Sequence, residues 1–429
     1  MSNIQPLKFV DRVVVRSCGA AQTLILRTPI RDVISFRGSF GVYPDFGIGE
    51  EFIQDLVVSQ LDKGTKHRDR FAIAEIIEDC GAQVLFSSDG YRVQFSGRAL
   101  REDISGVIRI VEEQLREPLL DEKEFKKGRL QMSAALHRAL ENTGVLASRS
   151  LSGQIYPKSH PNYMAGPEEK LARLPQITVN DIHSFHAKHF YANDLRVAFV
   201  GDLDVNEIDY LVSSGLGNWS SSDIDSSLET KCLSLNPRTI GIPVPEKQNI
   251  DVRMGHGLPV RRNAADFLPV HLATFVLGGN FSARLMSTIR DDMGLTYGIY
   301  SRLNGISVDY DGNLEISVTL SQENIDRGVK ATTMEIKRFV DGGITEEELA
   351  KVKTTLKGRF QVELATTEGL AGSLLRNAER NFNPDYLDRF PDLLDEISID
   401  QVNDVIKEYI HPEQFQVAMA GMLPDEAEK

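Results

Sequence analysis

Hydrophobic and polar positions along the chain alternate in short runs and recur at helical spacing in longer ones. The runs RVVVRS, TLILRT, YRVQFSG and LRVAFVGDLD set β-branched and polar residues in turn, which predicts strands. Residues 101 to 116 put Ile104, Val107, Ile108, Val111 and Leu115 on one side of a helix, and Pro118 stops it. Asp121 followed by Glu124 resembles a capping arrangement for a second helix that runs to about Asn142. In GEEFIQDLVVSQLDKGT, residues 49 to 65, the positions Phe52, Ile53, Leu56, Val57, Gln60 and Leu61 also recur at helical spacing. Gly64 stands there where a left-handed C-terminal cap would go. Strands and helices mix without strict alternation, which favours α+β layers over a doubly wound sheet.

The pattern repeats itself once. DIHSFHAKHFYANDLRVAFVGDLD (181 to 204) and QVNDVIKEYIHPEQFQVAMAGMLP (401 to 424) share a helix, an aromatic, a Pro or Asn turn, a strand and a Gly. Both stand at the end of a half of the chain, so a duplicated domain is the simplest reading. Residues 219 to 249 are rich in Ser, Asp and Pro and read as the linker, leaving domains over 1 to 218 and 250 to 429.

Composition narrows the function. At 429 residues, 41% of them apolar and 26% charged, the chain can bury cores in two or more domains. A net charge of −14 argues against a phosphate backbone as partner, because nucleic-acid binding relies on clustered Lys and Arg. The acidic balance reads either as ordinary solubilising charge or as a surface that favours basic peptides. Cys18, Cys80 and Cys232 are odd in number and widely spaced, which fits reduced thiols in the cytoplasm. The N-terminus has no apolar run behind a basic start, so no signal peptide is read there, although a periplasmic chain stripped of its leader would look the same. No stretch of about 18 apolar residues offers a membrane span.

Three stretches hold candidate chemistry. His183, His186 and His189 form the densest histidine cluster, but on a helix His189 is rotated well away from His183. They read as a metal site or as a helix face with partly exposed imidazoles, and the second fits the rotation better. LGGNFSARL (277 to 285) has a Gly pair without the spacing of a phosphate-binding loop, so it reads as a tight turn. In STIRDDMGLTYGIYSRL (287 to 303) a helix is expected to end near Gly294, with Arg290 on its last turn and Tyr297 just into a strand. A guanidinium and a phenol placed together suit a peptide carbonyl or carboxylate, or serve as a structural Arg beside a packed Tyr.

At these residues the chain resembles the pitrilysin-like, or mitochondrial-processing-peptidase-like, zinc metallopeptidases. The blocks that carry the resemblance include KGT (63 to 65), FAIAEIIEDCGAQVLFSSDGYRVQFSG, SHPNYMAG and LGGNFSARLMSTIRDDMGLTYGIYS, in order along nearly the whole chain. The resemblance implies two homologous α+β domains, each a mostly antiparallel sheet with packed helices, forming half of a peptidase chamber. Active members carry H-x-x-E-H shortly before KGT. Counting back from Lys63, those positions hold Asp55, Leu56, Val57, Val58 and Ser59, and the third-ligand position falls at or near Leu136. Zinc hydrolysis needs three protein ligands plus a water, so no metal is expected in this chain. The pattern R-x-x-x-G-L-x-Y survives at Arg290, Gly294, Leu295 and Tyr297. By resemblance, Arg290 and Tyr297 hold substrate for a homologous partner subunit that carries the zinc. The competing expectation is a non-enzymatic scaffold or peptide-binding subunit.

Overall fold

The computed structural model describes residues 8–222, 228–234 and 236–423. The four runs read as strands become β1 (Val13–Cys18), β2 (Ala21–Arg27), β5 (Arg92–Leu100) and β6 (Leu195–Gly201), and β3 (Val33–Gly41) and β4 (Gln83–Ser88) join them. They form one sheet in the order β1-β2-β6-β3-β5-β4. The second half supplies β7 (Thr239–Pro243), β8 (Asn249–Leu258), β9 (Ile299–Asn304), β10 (Gly312–Ser321) and β11 (Gln416–Gly421). These form a second sheet in the order β7-β11-β8-β10-β9.

The two orders match strand for strand when β2 to β6 are laid on β7 to β11 in chain order. Each sheet has one parallel pair, β2 with β6 and β7 with β11, and its other pairs are antiparallel. β1 is an added hairpin strand on the first sheet. The helices that lead into the last strand of each half, Val179–His189 and Ile399–Tyr409, both begin with a reciprocal capping box, Thr178 with Asp181 and Ser398 with Gln401. This is a duplicated α+β fold of two mostly antiparallel sheets with packed helices.

The compact units do not follow the sequence halves. One contains Met1–Met132, Leu174–Ser227 and Gly358–Pro391, and the other Ser133–Arg173, Leu228–Lys357 and Asp392–Lys429. Equivalent helices are therefore exchanged: Thr367–Glu379, late in the chain, covers β3 and β6 of the first sheet, and Thr143–Ile155, early in the chain, covers β8 and β11 of the second. Polar residues on β3 explain the first docking. Ser35 shares a hydrogen bond with Thr367 at 2.8 Å, Arg37 pairs with Glu368 at 3.3 Å, and the Ser39 hydroxyl donates to Glu379 at 2.5 Å. In the second unit Thr143 donates to Asp251 at 2.6 Å and Arg253 to Ser148 at 3.2 Å. The opposite phase of β3 builds a core, where Phe36 faces Phe199 at 6.2 Å and Phe40 meets Trp219 edge-on at 5.0 Å.

The stretch read as the linker holds β7. Ile240 and Ile242 alternate with exposed neighbours, and the strand pairs in parallel with β11, an edge position that tolerates Pro243. The helix expected across 49 to 65 is shorter than its pattern. It ends at Val58, a 3₁₀ turn follows over Leu61–Lys63, and Gly64 stands at φ +136° and ψ 162°, a positive-φ conformation that favours glycine but is not the left-handed helical cap. The Gly64 backbone is used instead by the chain beyond: its carbonyl accepts from the Leu119 amide at 2.9 Å. No helix among the described residues is long and apolar enough to cross a membrane.

Candidate functional site

Helix Glu50–Val58 carries the positions at which the resemblance places a zinc motif. Its inward face is Phe52, Gln54, Leu56, Val57 and Val58, all buried. Asp55 is partly exposed, Val58 is buried, and Ser59 is exposed with its hydroxyl donating to the Leu56 carbonyl at 2.7 Å. The Gln60 side-chain amide donates to Ser59 at 3.1 Å. Gln60 lies directly against helix Glu122–Leu140: a Cβ on Gly128 would come within 2.6 Å of its amide nitrogen, and the end of the Gln60 side chain would have to shift. Leu136, two turns further along that helix, is a half-buried apolar residue. Val58 and Leu136 have no donor atom for zinc, and a hydroxyl and a single carboxylate do not replace two imidazoles. Among the described residues, no group of three or more His, Cys, Asp or Glu is placed to hold a metal ion. The residues at the motif do not fit zinc.

Two of the three clustered histidines serve packing between elements. His183 is exposed, and His186 Nε2 donates to the Leu115 carbonyl at 2.8 Å. His189 is buried, its Nδ1 donates to the Val42 carbonyl at 2.9 Å, and its Nε2 lies 3.2 Å from Glu50. Burial lowers the His189 pKa, opposed by the Glu50 carboxylate and the Val42 carbonyl. Burial would raise Glu50, but the Asp45 amide and Lys188 outweigh it and hold the carboxyl below its usual range. A Lys188–Glu50–His189 clamp thus joins helix Val179–His189 to the first turn of helix Glu50–Val58. His189→Ala is expected to lower the stability of the first unit by about 1–3 kcal/mol, because it removes one of the partners of Glu50 and leaves the buried Val42 carbonyl without its imidazole donor. Urea denaturation measures this, and a destabilised variant with unchanged metal content separates the clamp from a ligand role.

The surviving pair lies on a different kind of connection. Met286–Asp292 is a π-helix that contains Arg290, a widening of the turn often found at functional sites. Gly294, at φ +63°, reverses the chain, and buried Leu295 anchors it through an amide bond to the Ile289 carbonyl at 3.0 Å. The Thr296 hydroxyl donates to the Thr319 carbonyl at 2.7 Å and accepts from the Gly298 amide at 3.1 Å. That knot delays the strand, so β9 begins at Ile299 and Tyr297 stands in the turn before it, not within the strand as its alternation suggests. Tyr297 is 99% exposed. The Arg290 side chain is 40% exposed, pairs with Asp291 at 3.3 Å, and lies over the Phe281 ring at 5.9 Å.

Phe281 is a contributor that sequence reasoning passed over. It sits in LGGNFSARL, is 67% exposed, and meets Tyr300 edge-on at 6.3 Å. An exposed aromatic directly after a Gly-Gly-Asn turn was the available signal, since a phenylalanine gains nothing from solvent. Phe281, Arg290 and Tyr297 offer a peptide an apolar face, a planar fork of donors and a hydroxyl, with backbone on both sides pinned by hydrogen bonds.

Comparison with known proteins gives the same picture. Residues 60–162 match the insulinase family, peptidase family M16, and residues 176–356 match the domain described as the peptidase M16 inactive domain. The first match begins just past Ser59, beyond the zinc-motif positions. Over 381 residues the chain is 23% identical to the non-peptidase homolog YmxG of Helicobacter pylori, covering 87% of this chain and 84% of that protein. The crystal structure of a peptidase M16 inactive domain from Pseudomonas fluorescens matches with a TM-score of 0.86 at 23% identity, over 96% of this chain and 98% of that one. The periplasmic protease PqqL of Escherichia coli matches at 0.81 and 13% identity, over 97% of this chain and 46% of that chain. Fold and motif together define a zinc-peptidase architecture without its metal centre. The chain belongs to the M16 peptidase family, as a member that lacks the zinc ligands.

Proposed function

We propose that this chain is the non-zinc subunit of a heterodimeric M16 peptidase. In this reading a homologous partner carries H-x-x-E-H, its zinc and the base that activates water, while Arg290 and Tyr297 of this chain hold the peptide. The observation that carries the proposal is the contrast between the two candidate sites. The zinc helix keeps its packing and has lost its ligands, whereas Tyr297 and Arg290 remain presented to solvent on a connection fixed by Leu295 and Thr296. The PqqL match supports it further, since this chain corresponds to 46% of that protease and leaves room for a second half. The three cysteines, free in the structure, suit a cytoplasmic setting.

The chemistry expected of the pair is positional. The guanidinium of Arg290 donates to the peptide carbonyl, and the Tyr297 hydroxyl donates to the same oxygen as negative charge develops on it. The experiment is reconstitution: the chain is mixed with a zinc-bearing M16 subunit from the same genome, and cleavage of a fluorogenic peptide is followed. Cleavage that requires both chains supports the reading, and cleavage by the zinc-bearing subunit alone at the same rate contradicts it. The name of the Helicobacter pylori relative, a non-peptidase homolog, favours a second reading as a scaffold or peptide-binding subunit. That reading expects stable association in which proteolysis does not depend on Arg290.

A further inference from the structure

The first unit contains a cleft that the M16 reading does not use. Helix Val205–Ser214 packs over β1 and β2, and helix Ile104–Arg116 packs over β5, with β6 and β3 lying between them in the sheet. Residues of both helices and Ile34 of β3 line a shared gap. The gap is a cleft of about 890 Å³, within the range of sites that enclose a ligand or a few residues of a peptide.

Its floor is apolar. Ile34, Leu203 and Leu211 close it from below, and Leu100 (40% exposed) and Tyr210 (73% exposed) leave large apolar surface at the rim. Its charge has a sign. Four carboxylates line it, Asp32, Glu102, Asp204 and Glu207, against the two guanidiniums of Arg101 and Arg109. Arg101 is already engaged by Asp202 at 3.3 Å and Glu207 at 3.8 Å. Asp204 is held as the helix cap by the amides of Asn206 and Glu207. Asp32 and Glu102 make no ion pair among the described residues, so they remain as acceptors for an incoming cation. The exposed Tyr210 ring adds a π face to the same rim, which favours a cation further.

We propose that this cleft is a docking site for a segment of a partner protein that presents a large apolar side chain flanked by Lys or Arg. The apolar side chain covers Leu100 and Leu211 between the helices, and the basic groups face Asp32, Glu102 and the Tyr210 ring. A neutral or acidic segment would desolvate those carboxylates without replacing their water, so the charge selects the partner. The site lies wholly on residues of the first unit and is independent of the Arg290–Tyr297 reading.

The test uses the full chain and a fluorescein-labelled peptide, LKKLLKLLKKLL, with a second peptide in which every Lys is Glu. Binding is read by fluorescence anisotropy and located by hydrogen exchange. The expected result is saturable binding of the Lys peptide, with protection of helices Ile104–Arg116 and Val205–Ser214. Tyr210→Ala should weaken it at least tenfold, as should the paired change Asp32→Asn and Glu102→Gln, and the matched charge change Glu346→Gln with Glu347→Gln, on exposed residues of helix Glu346–Glu363 in the other unit, should leave it unchanged. Equal affinity for the Glu peptide, affinity within twofold in both cleft variants, or protection confined to other elements would each overturn the proposal. The paired change alters charge alone on exposed side chains, so it decides the matter even if Tyr210→Ala disturbs folding.

Discussion

In the reconstituted peptidase, Arg290→Ala combined with Tyr297→Phe lowers kcat/KM for a peptide by about 10²–10³-fold, the usual loss when donors to a developing oxyanion are removed. The variant chain itself keeps its stability to within about 0.5 kcal/mol, as expected for surface substitutions. Both halves of that expectation come from exposure: Tyr297 is 99% exposed, and Arg290 pairs with its exposed neighbour Asp291. Tyr297→Phe removes a hydroxyl and no packing, so a loss confined to that variant isolates the hydrogen bond. A fall in kcat with KM unchanged assigns the pair to the transition state, and a rise in KM alone assigns it to substrate grip. Activity that survives the double change unaltered sinks the assignment and leaves the scaffold reading.

The second large effect is on the pH dependence of stability. His160 is fully buried, stacked on Tyr156 at 4.5 Å, and its Nδ1 accepts from the Asn162 amide at 3.0 Å. Burial holds its pKa down to about 4, with Arg261 adding to the effect and Glu229 and the Thr230 backbone opposing it. The unfolded chain binds a proton on this group near pH 6.5 and the folded chain does not until about pH 4. The stabilisation is therefore complete above pH 6.5 and is lost as the pH falls from 6.5 towards 4, by up to about 3 kcal/mol. Burial lowers His186 and His256 as well, so they act in the same direction. Urea midpoints measured from pH 7.5 to 4.5 should fall for the wild type and fall less steeply for His160→Gln. An equal slope in the variant shows that other groups set the dependence.

Much of this was legible because burial writes a period into a sequence. The runs read for β1, β2, β5 and β6 and the helical spacing over Ile104–Arg116 have elements standing where the pattern puts them. The duplication was legible in one pair of segments, and the strand-by-strand match of the two sheets extends it to both halves. The exchange of helices Thr143–Ile155 and Thr367–Glu379 was not legible, because an amphipathic pattern says that a helix covers a sheet and not which one. Long-range contacts such as those of Ser35 with Thr367 and of Thr143 with Asp251 decide that, and they join residues 332 and 108 positions apart. β7 was hidden by Pro243 and by the Ser-rich residues before it, since a parallel edge strand needs little hydrophobic pattern of its own.

At the candidate sites, loss was easier to read than placement. The absence of His at Asp55 and Ser59, and of acid around Leu136, needs no coordinates. The setting of Tyr297 does, because the Thr296 hydroxyl bonds that hold it out of β9 leave no mark on the alternation of 295 to 300. His189 shows the reverse error of emphasis. Its neighbours drew it into a possible metal cluster, and its work is to fix Glu50 and Val42 at the foot of a helix that no longer binds metal.

The chain keeps the M16 fold without a set of zinc ligands of its own among the described residues. The direct test is the zinc content of the purified full-length chain after incubation with excess zinc and exhaustive dialysis. The expected value is well under about 0.1 zinc per chain, since three ligands are needed and, of the ligand positions Asp55, Ser59 and Leu136, only Asp55 offers a carboxylate. About one zinc per chain, lost with cleavage activity on adding a chelator, would contradict it.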